Sequence, residues 1–171
     1  MITGEVGSGK TTLTRKLLYE ALGEGKEEIT LIDMAPERIS TETGSIGGRL
    51  IDDSVVGLRQ LIPSCIRAPR LTAKTQEELI AEADSNRVNI ERVLKMFNEA
   101  PTKVLFINDA SMYLQRGELD TLRATISKAE TVVVNAYLGE RLNNDLGAGL
   151  SRRERELVLS LGEKMDRVIR L

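Results

Sequence analysis

Gly4-Glu5-Val6-Gly7-Ser8-Gly9-Lys10-Thr11 decides how the rest of this chain is read. The stretch matches GxxxxGK[ST] in full, and a helical pattern follows it at once. Backbone N–H groups of a glycine-rich loop can wrap phosphate oxygens only where no side chain intrudes, and the following helix adds its unpaired N-terminal donors. Lys10 supplies a point charge to the same oxygens. Thr11 offers a hydroxyl to the Mg²⁺ that accompanies a nucleoside triphosphate. The expected nucleotide-binding set is therefore Gly4, Glu5, Val6, Gly7, Ser8, Gly9, Lys10, Thr11 and Thr12.

Outward from the loop, strand and helix patterns alternate. Only Met1, Ile2 and Thr3 precede Gly4, a short first strand for a loop of this kind, so the natural chain is expected to start earlier. A helix is expected from Lys10 to Leu22, inward along Leu13, Leu17, Leu18 and Ala21 and ended by Gly23. A polar turn over 24–28 leads to Ile29-Thr30-Leu31-Ile32-Asp33, a short buried strand whose terminal carboxylate falls at the sheet edge where ligands bind in open α/β folds. Residues 34–74 hold three of the four prolines and the Gly44, Gly47 and Gly48 cluster, and read as a long irregular excursion over the active-site edge, with a short helix and an extra strand near Cys65–Leu71. From Thr75 to Asn98 the spacing of Leu79, Ala83, Ile90, Leu94 and Phe97 predicts a long amphipathic helix closed by Pro101.

Lys103 to Asp109 is the next strand, and its Val104-Leu105-Phe106-Ile107 run is too continuous for a sheet with one wet face. Leu119, Leu122, Ile126 and Ala129 mark a further helix, followed by the β-branched strand Thr131–Asn135. Ser151 and Glu154 have capping-box spacing ahead of Leu157, Val158 and Leu161, the run from Arg152 to Glu156 reads as the wet side of that helix, and Asp166–Leu171 is a closing strand. The pattern implies one α/β domain over 1–171: three layers, with a mainly parallel central sheet, helices on both faces and right-handed crossovers.

Composition narrows the chemistry. A chain of 171 residues with net charge −2 and interspersed charges carries no signature of a nucleic-acid or membrane surface. The absence of histidine and the single Cys65, expected to be a small buried or half-buried apolar residue, remove disulfide frameworks, Cys/His zinc sites and every His-based triad. Neither a signal-peptide pattern nor an apolar run of membrane-spanning length appears, so a cytoplasmic enzyme is expected.

Two strand-terminal acids are the candidate catalytic groups beside Lys10. The hydrophobic strand running into Asn108-Asp109 fits a motif in which a terminal acid orients water on Mg²⁺, which makes Thr11 and Asp109 the expected metal-side residues. The alternative for Asp109 is a helix cap near Ala110, and Asn108 takes its place if the register moves by one. Asp33 is read as a second Mg²⁺-shell ligand or water-orienting base, or as a grip on an acceptor, against a plain turn residue before Ala35-Pro36. Asn135 ends its strand with an amide able to hydrogen-bond the nucleotide base, or is a turn residue. Arg38, Arg49, Arg67, Arg70 and Lys74 lie in or beside the excursion; Arg67 and Arg70 are the pair first considered as stabilisers of a transferring phosphate.

The loop GEVGSGKTTL at 4–13, LIDMAPE at 31–37, the strand to Asp109 and VVVN at 132–135 resemble the branch of P-loop proteins that includes the nickel-maturation GTPases of urease and hydrogenase and the partition-type ATPases. The partition ATPases carry a lysine directly after the loop's first glycine, where this chain has Glu5. The GTPases follow their strand asparagine in the pattern NKxD, whereas Asn135 is followed by Ala136, Tyr137 and Leu138, so the guanine-reading carboxylate is missing and ATP is expected in preference to GTP. The metal-binding Cys/His set of the nickel proteins is missing too. LIDMAPERI is also similar to a segment of small-molecule kinases such as adenylyl-sulfate kinase, which would make Asp33 and Arg38 acceptor-holding residues.

These readings imply a Mg·ATP-binding P-loop NTPase, a slow ATPase whose cycle drives a conformational switch, with Asp33 aligning water and 34–74 rearranging as the γ-phosphate leaves. The alternatives are a small-molecule or nucleotide kinase using 34–74 as a lid, and a non-catalytic nucleotide-binding regulatory module. A protein partner or a homodimer is implied by resemblance to the partition ATPases.

Overall fold

Five consecutive buried residues in each of two strands, Ile29–Asp33 (β2) and Val104–Asn108 (β6), put the middle of the sheet out of reach of water on both faces. The computed structural model describes residues 1–25, 28–41, 44–51 and 55–171. Among these, the main sheet also contains Ile2–Gly4 (β1), Leu58–Leu61 (β5), Thr131–Tyr137 (β7) and Ile169–Arg170 (β8), in the order β5-β2-β6-β7-β1-β8. Every pairing in it is parallel. A separate antiparallel pair joins Ile39–Thr41 (β3) to Gly44–Ile46 (β4).

Alternation along each strand sends neighbouring side chains to opposite faces. Ile29, Leu31, Val104 and Phe106 pack with Leu18 of Lys10–Gly23 (α1) and with Leu50 and Ile51. Ile32, Leu105, Ile107, Val134 and Ala136 pack instead with residues of Gln76–Glu99 (α3), Ser111–Leu114 (α4), Leu119–Ile126 (α5) and Leu150–Gly162 (α6). Burying each large aliphatic or aromatic side chain is worth about 1.5–3 kcal/mol, so the two faces supply the main stabilising term. The result is a parallel α/β sheet flanked by helices.

Local chemistry sets the helix limits. At the start of α3 the Thr75 side chain accepts the Glu78 N–H at 3.2 Å, and the Glu78 carboxylate accepts the Lys74 N–H at 2.8 Å. These bonds satisfy donors that the helix itself cannot. Buried residues Leu79, Ala83, Asn86, Ile90, Val93, Leu94 and Phe97 follow on one face.

Residues 34–74 depart from expectation. The extra strand is β5 at Leu58–Leu61, not near Cys65–Leu71, and Pro69–Thr72 is a short helix (α2). β5 was obscured because its centre is Arg59-Gln60, tolerable on an edge strand in which only Leu61 is fully buried. Cys65, expected buried or half-buried, is exposed in a turn with φ of 53°. The polar turn over 24–28 includes Lys26 and Glu27, which lie outside the described residues. No described helix is long and apolar enough to cross a membrane.

Candidate active site

The chain leaves β1 through α1 on one face of the sheet and leaves its neighbour β7 through α6 on the other. Diverging connections open a crevice beyond the carboxyl ends of two such strands. A cavity of about 260 Å³ lies there, bounded by Val6, Gly7, Gly9, Lys10, Thr11 and Thr12 and, across from them, by Arg70, Asp109, Ser111, Gln115, Asn135 and Tyr137. Ala35, Pro36, Gly47 and Gly48 close another side.

The glycine-rich loop holds its shape through backbone conformations open to glycine. Gly7 and Gly9 have φ of 74° and 95°, left-handed values at which a Cβ is strained. The Ser8 N–H reaches the Glu5 carbonyl at 3.2 Å, and the Lys10 ammonium donates to the carbonyls of Gly4 and Glu5 at 3.0 and 2.6 Å. Among the described residues the N–H groups of Gly7, Gly9, Lys10, Thr11 and Thr12 have no protein acceptor. A run of free donors at the start of a 14-residue helix attracts anions.

Glu5 anchors the loop from the other direction. Its carboxylate accepts N–H groups of Val6 at 2.7 Å, Glu140 at 2.8 Å and Arg141 at 3.2 Å. Burial alone would raise the Glu5 carboxyl, but the Glu140, Val6 and Arg141 donors outweigh it and hold it below its ordinary value.

Behind the cavity, buried amides link the strand ends. The Asn108 amide donates to Asp33 Oδ1 at 2.7 Å, and the Asn135 amide donates to Asn108 Oδ1 at 2.8 Å and to the Thr14 hydroxyl at 2.9 Å. Thr14 passes its own proton to the Lys10 carbonyl at 2.8 Å. The Asn135 carbonyl accepts the Asp109 N–H at 2.8 Å.

Asn135 borders the cavity, and every polar atom of its amide is hydrogen-bonded within this chain, which ties the strand ends together. Asp33 is likewise engaged within the chain. It is 1% exposed, does not border the cavity, and accepts N–H groups of Ala35 at 3.2 Å and Leu50 at 2.6 Å in addition to Asn108. Leu50 is also tied to α1, where Arg15 Nε donates to its carbonyl at 2.7 Å. Asp33 thus fastens the excursion to the end of β2.

Asp109 does border the cavity, held in the left-handed region with φ of 57°. Strained non-glycine backbone of this kind persists where the surroundings over-determine it. Here those surroundings are Asn135 on its N–H and Ser111, whose hydroxyl donates to its carboxylate. Burial raises the Asp109 carboxyl, opposed by the Ser111 hydrogen bond and by the Lys10 and Arg70 charges. Burial lowers the Lys10 ammonium, opposed by Asp109 and Glu5.

Of the candidate cations in the excursion, Arg70 alone borders the cavity among the described residues; Arg38, Arg49, Arg67 and Lys74 are exposed and lie outside its lining. The Arg67 guanidinium pairs with Glu82 at 3.2 Å. Arg70 pairs with Glu154 at 2.9 Å. Glu154 was read as part of a wet helix side and as a capping residue for Ser151, and both readings are corrected. The helix cap is Gly149, with φ of 72°, and Glu154 is 2% exposed between the buried Leu150 and Val158. Its position four residues from each was the available signal, masked by the surrounding charges. Gln115, also missed, donates to Glu154 at 2.8 Å.

The site fits a phosphate chain with one hard cation. Free amides and Lys10 suit the anion, while Thr11 and Asp109 are oxygen donors on the cavity wall, enough for Mg²⁺, which keeps most of its water and phosphate ligands. No protein-family model, curated protein or solved structure matches this chain.

Proposed function

We propose that this protein binds Mg·ATP through residues 4–12 and hydrolyses it slowly as a nucleotide-driven switch. The observation that carries this reading is the set of N–H groups of Gly7, Gly9, Lys10, Thr11 and Thr12, without a protein acceptor among the described residues, beside the Lys10 ammonium and with Asp109 on the same cavity wall. Loop amides and Lys10 bind the phosphates, and Thr11 and Asp109 hold the metal, which when bound neutralises charge on the phosphate oxygens. A water oxygen forms the new bond to the terminal phosphorus as the bridging P–O bond breaks, giving ADP, phosphate and a proton released to solvent. Ala35, Pro36, Gly47 and Gly48 bring the excursion to the cavity, which supports its role as the element that responds to the terminal phosphate.

A second reading, phosphoryl transfer to a small acceptor, is favoured by one observation. A further cavity of about 340 Å³ shares Arg70, Tyr137 and Leu142 with the first, so an acceptor could sit beside the nucleotide.

Phosphate release from Mg·ATP and Mg·GTP, alone and with a panel of hydroxylated acceptors and nucleoside monophosphates, separates the readings. Acceptor-independent release preferring ATP is expected, lost by at least about 100-fold in Lys10→Ala. Turnover only with an acceptor would make the protein a kinase, and tight binding without turnover would make it a regulatory module.

A further inference from the structure

Arg70 and Glu154 form an ion pair with side chains only 7% and 2% exposed. One guanidinium nitrogen meets both carboxylate oxygens, at 3.0 and 2.9 Å, and the other reaches the Ser151 hydroxyl at 3.4 Å. Nε makes no hydrogen bond among the described residues, so the guanidinium keeps donors uncommitted. A buried pair of this kind adds little net stability over apolar packing, so stability alone does not account for it.

Its location suggests what does. The guanidinium lies 5.3 Å from the Tyr137 ring centre, and the Lys10 ammonium lies 5.9 Å from the same ring. Two cations from opposite ends of the chain's topology thus border one cavity, and both draw down the Asp109 carboxyl. Lys10 belongs to the glycine-rich loop. Arg70 comes from the excursion and is steered by α6 through Glu154, which is itself held by Gln115 from the end of α4.

We propose that Arg70 is the catalytic cation that contacts the terminal phosphate, and that Glu154 is the positioning residue that presents it. This rests on the nucleotide reading above. The guanidinium adds charge where negative charge shifts on the terminal phosphoryl group, while the diphosphate portion remains the task of the loop and Lys10. Glu154 neutralises the cost of burying that cation and limits its direction of approach.

The test measures affinity for Mg·ADP and for a non-hydrolysable ATP analogue, together with kcat, in the full chain, Arg70→Ala, Glu154→Gln and the double variant. All should bind Mg·ADP within about threefold of one another. Arg70→Ala should lose the preference for the triphosphate and about 100-fold or more in kcat. Free guanidinium chloride at millimolar concentration should restore turnover to Arg70→Ala, where Glu154 remains to hold it, and not to the double variant. If Arg70→Ala does not fold, the double variant, with no buried charge left unpaired, carries the kcat comparison, and a lowered kcat with unchanged Mg·ADP affinity in Glu154→Gln, which keeps Arg70, replaces the rescue measurement, wild-type kcat there overturning the assignment of Glu154.

Wild-type turnover without Arg70 overturns its assignment, and equal rescue of both variants overturns that of Glu154. Failure of the unmodified protein to bind either nucleotide overturns the nucleotide reading and this proposal with it, an outcome distinct from ADP binding that persists with no triphosphate preference to lose.

Discussion

The side-chain carbonyl of Asn135 accepts the main-chain N–H of Asp109 at 2.8 Å, which sets the acid's left-handed backbone from the neighbouring strand. Because β7 lies between β1 and β6, Asn135 stands between the glycine-rich loop and the acid, and it bonds toward both through Thr14 and Asn108. One buried amide therefore couples the helix that follows the glycine-rich loop to the backbone that carries the Asp109 carboxylate.

Replacing Asn135 with leucine keeps the branched shape at Cγ and removes the amide. The Asp109 N–H and the Asn108 carbonyl then lose their partners in a buried region, so a loss of about 3 kcal/mol is expected by urea titration. Asn135→Leu should also lower turnover with little change in ADP affinity, because the loop donors remain.

Asp33→Asn separates an anchoring role for that residue from the expected role in aligning water or gripping an acceptor. An amide nitrogen would face one of the three donors that now converge on the carboxylate, so stability should fall by about 1–3 kcal/mol. Turnover should fall less than in Asp109→Asn, measured at matched fractions folded. Loss of all turnover in Asp33→Asn at unchanged stability and ATP affinity would return Asp33 to the chemistry.

Gly9→Ala isolates backbone conformation. An added Cβ meets nothing within 4 Å, so the left-handed φ of 95° is the source of its cost, about 1–2 kcal/mol in denaturant unfolding. A loop relaxed from this conformation turns its amides, so phosphate affinity should drop by about tenfold or more, read by titration with ADP.

Burial pushes the Glu154 carboxyl up to about 7, against the pull of Arg70 and the Gln115 amide. A carboxyl raised above its unfolded value binds more protons in the native state, so stability should decline as pH rises from about 4.5 through 7 and level off above. The amplitude is on the order of 3 kcal/mol. Thermal unfolding between pH 5 and 8 should show this slope in the wild type and a flatter one in Glu154→Gln.

Much of the framework was legible because its signals are local. The run at 29–33 was legible as a buried strand and the run at 104–107 as a central one, and both are buried on both faces. The long helix ending before Pro101 carried a full 3.6-residue periodicity, and its observed span, Gln76–Glu99, lies within one or two residues of the expected one. β5 was misplaced because an edge strand buries too little to write a pattern, and Cys65 was misjudged because its residue type outweighed a turn geometry set by neighbouring segments.

The sequence by itself determined that glycines, a lysine and a threonine stand at the entry to a helix, and that acids and amides end the strands. Those are properties of order and spacing along one chain. Which of these polar groups meets the cavity was decided by tertiary structure alone. Asp33 and Asn135 were spent on hydrogen bonds to segments 17 and 26 residues away or more, Asp109 was left beside Lys10, and Glu154 was carried from a charged run into a buried pair with Arg70. A buried polar atom must find a partner, and which partner lies within reach depends on how strands and helices pack, not on their order in the chain.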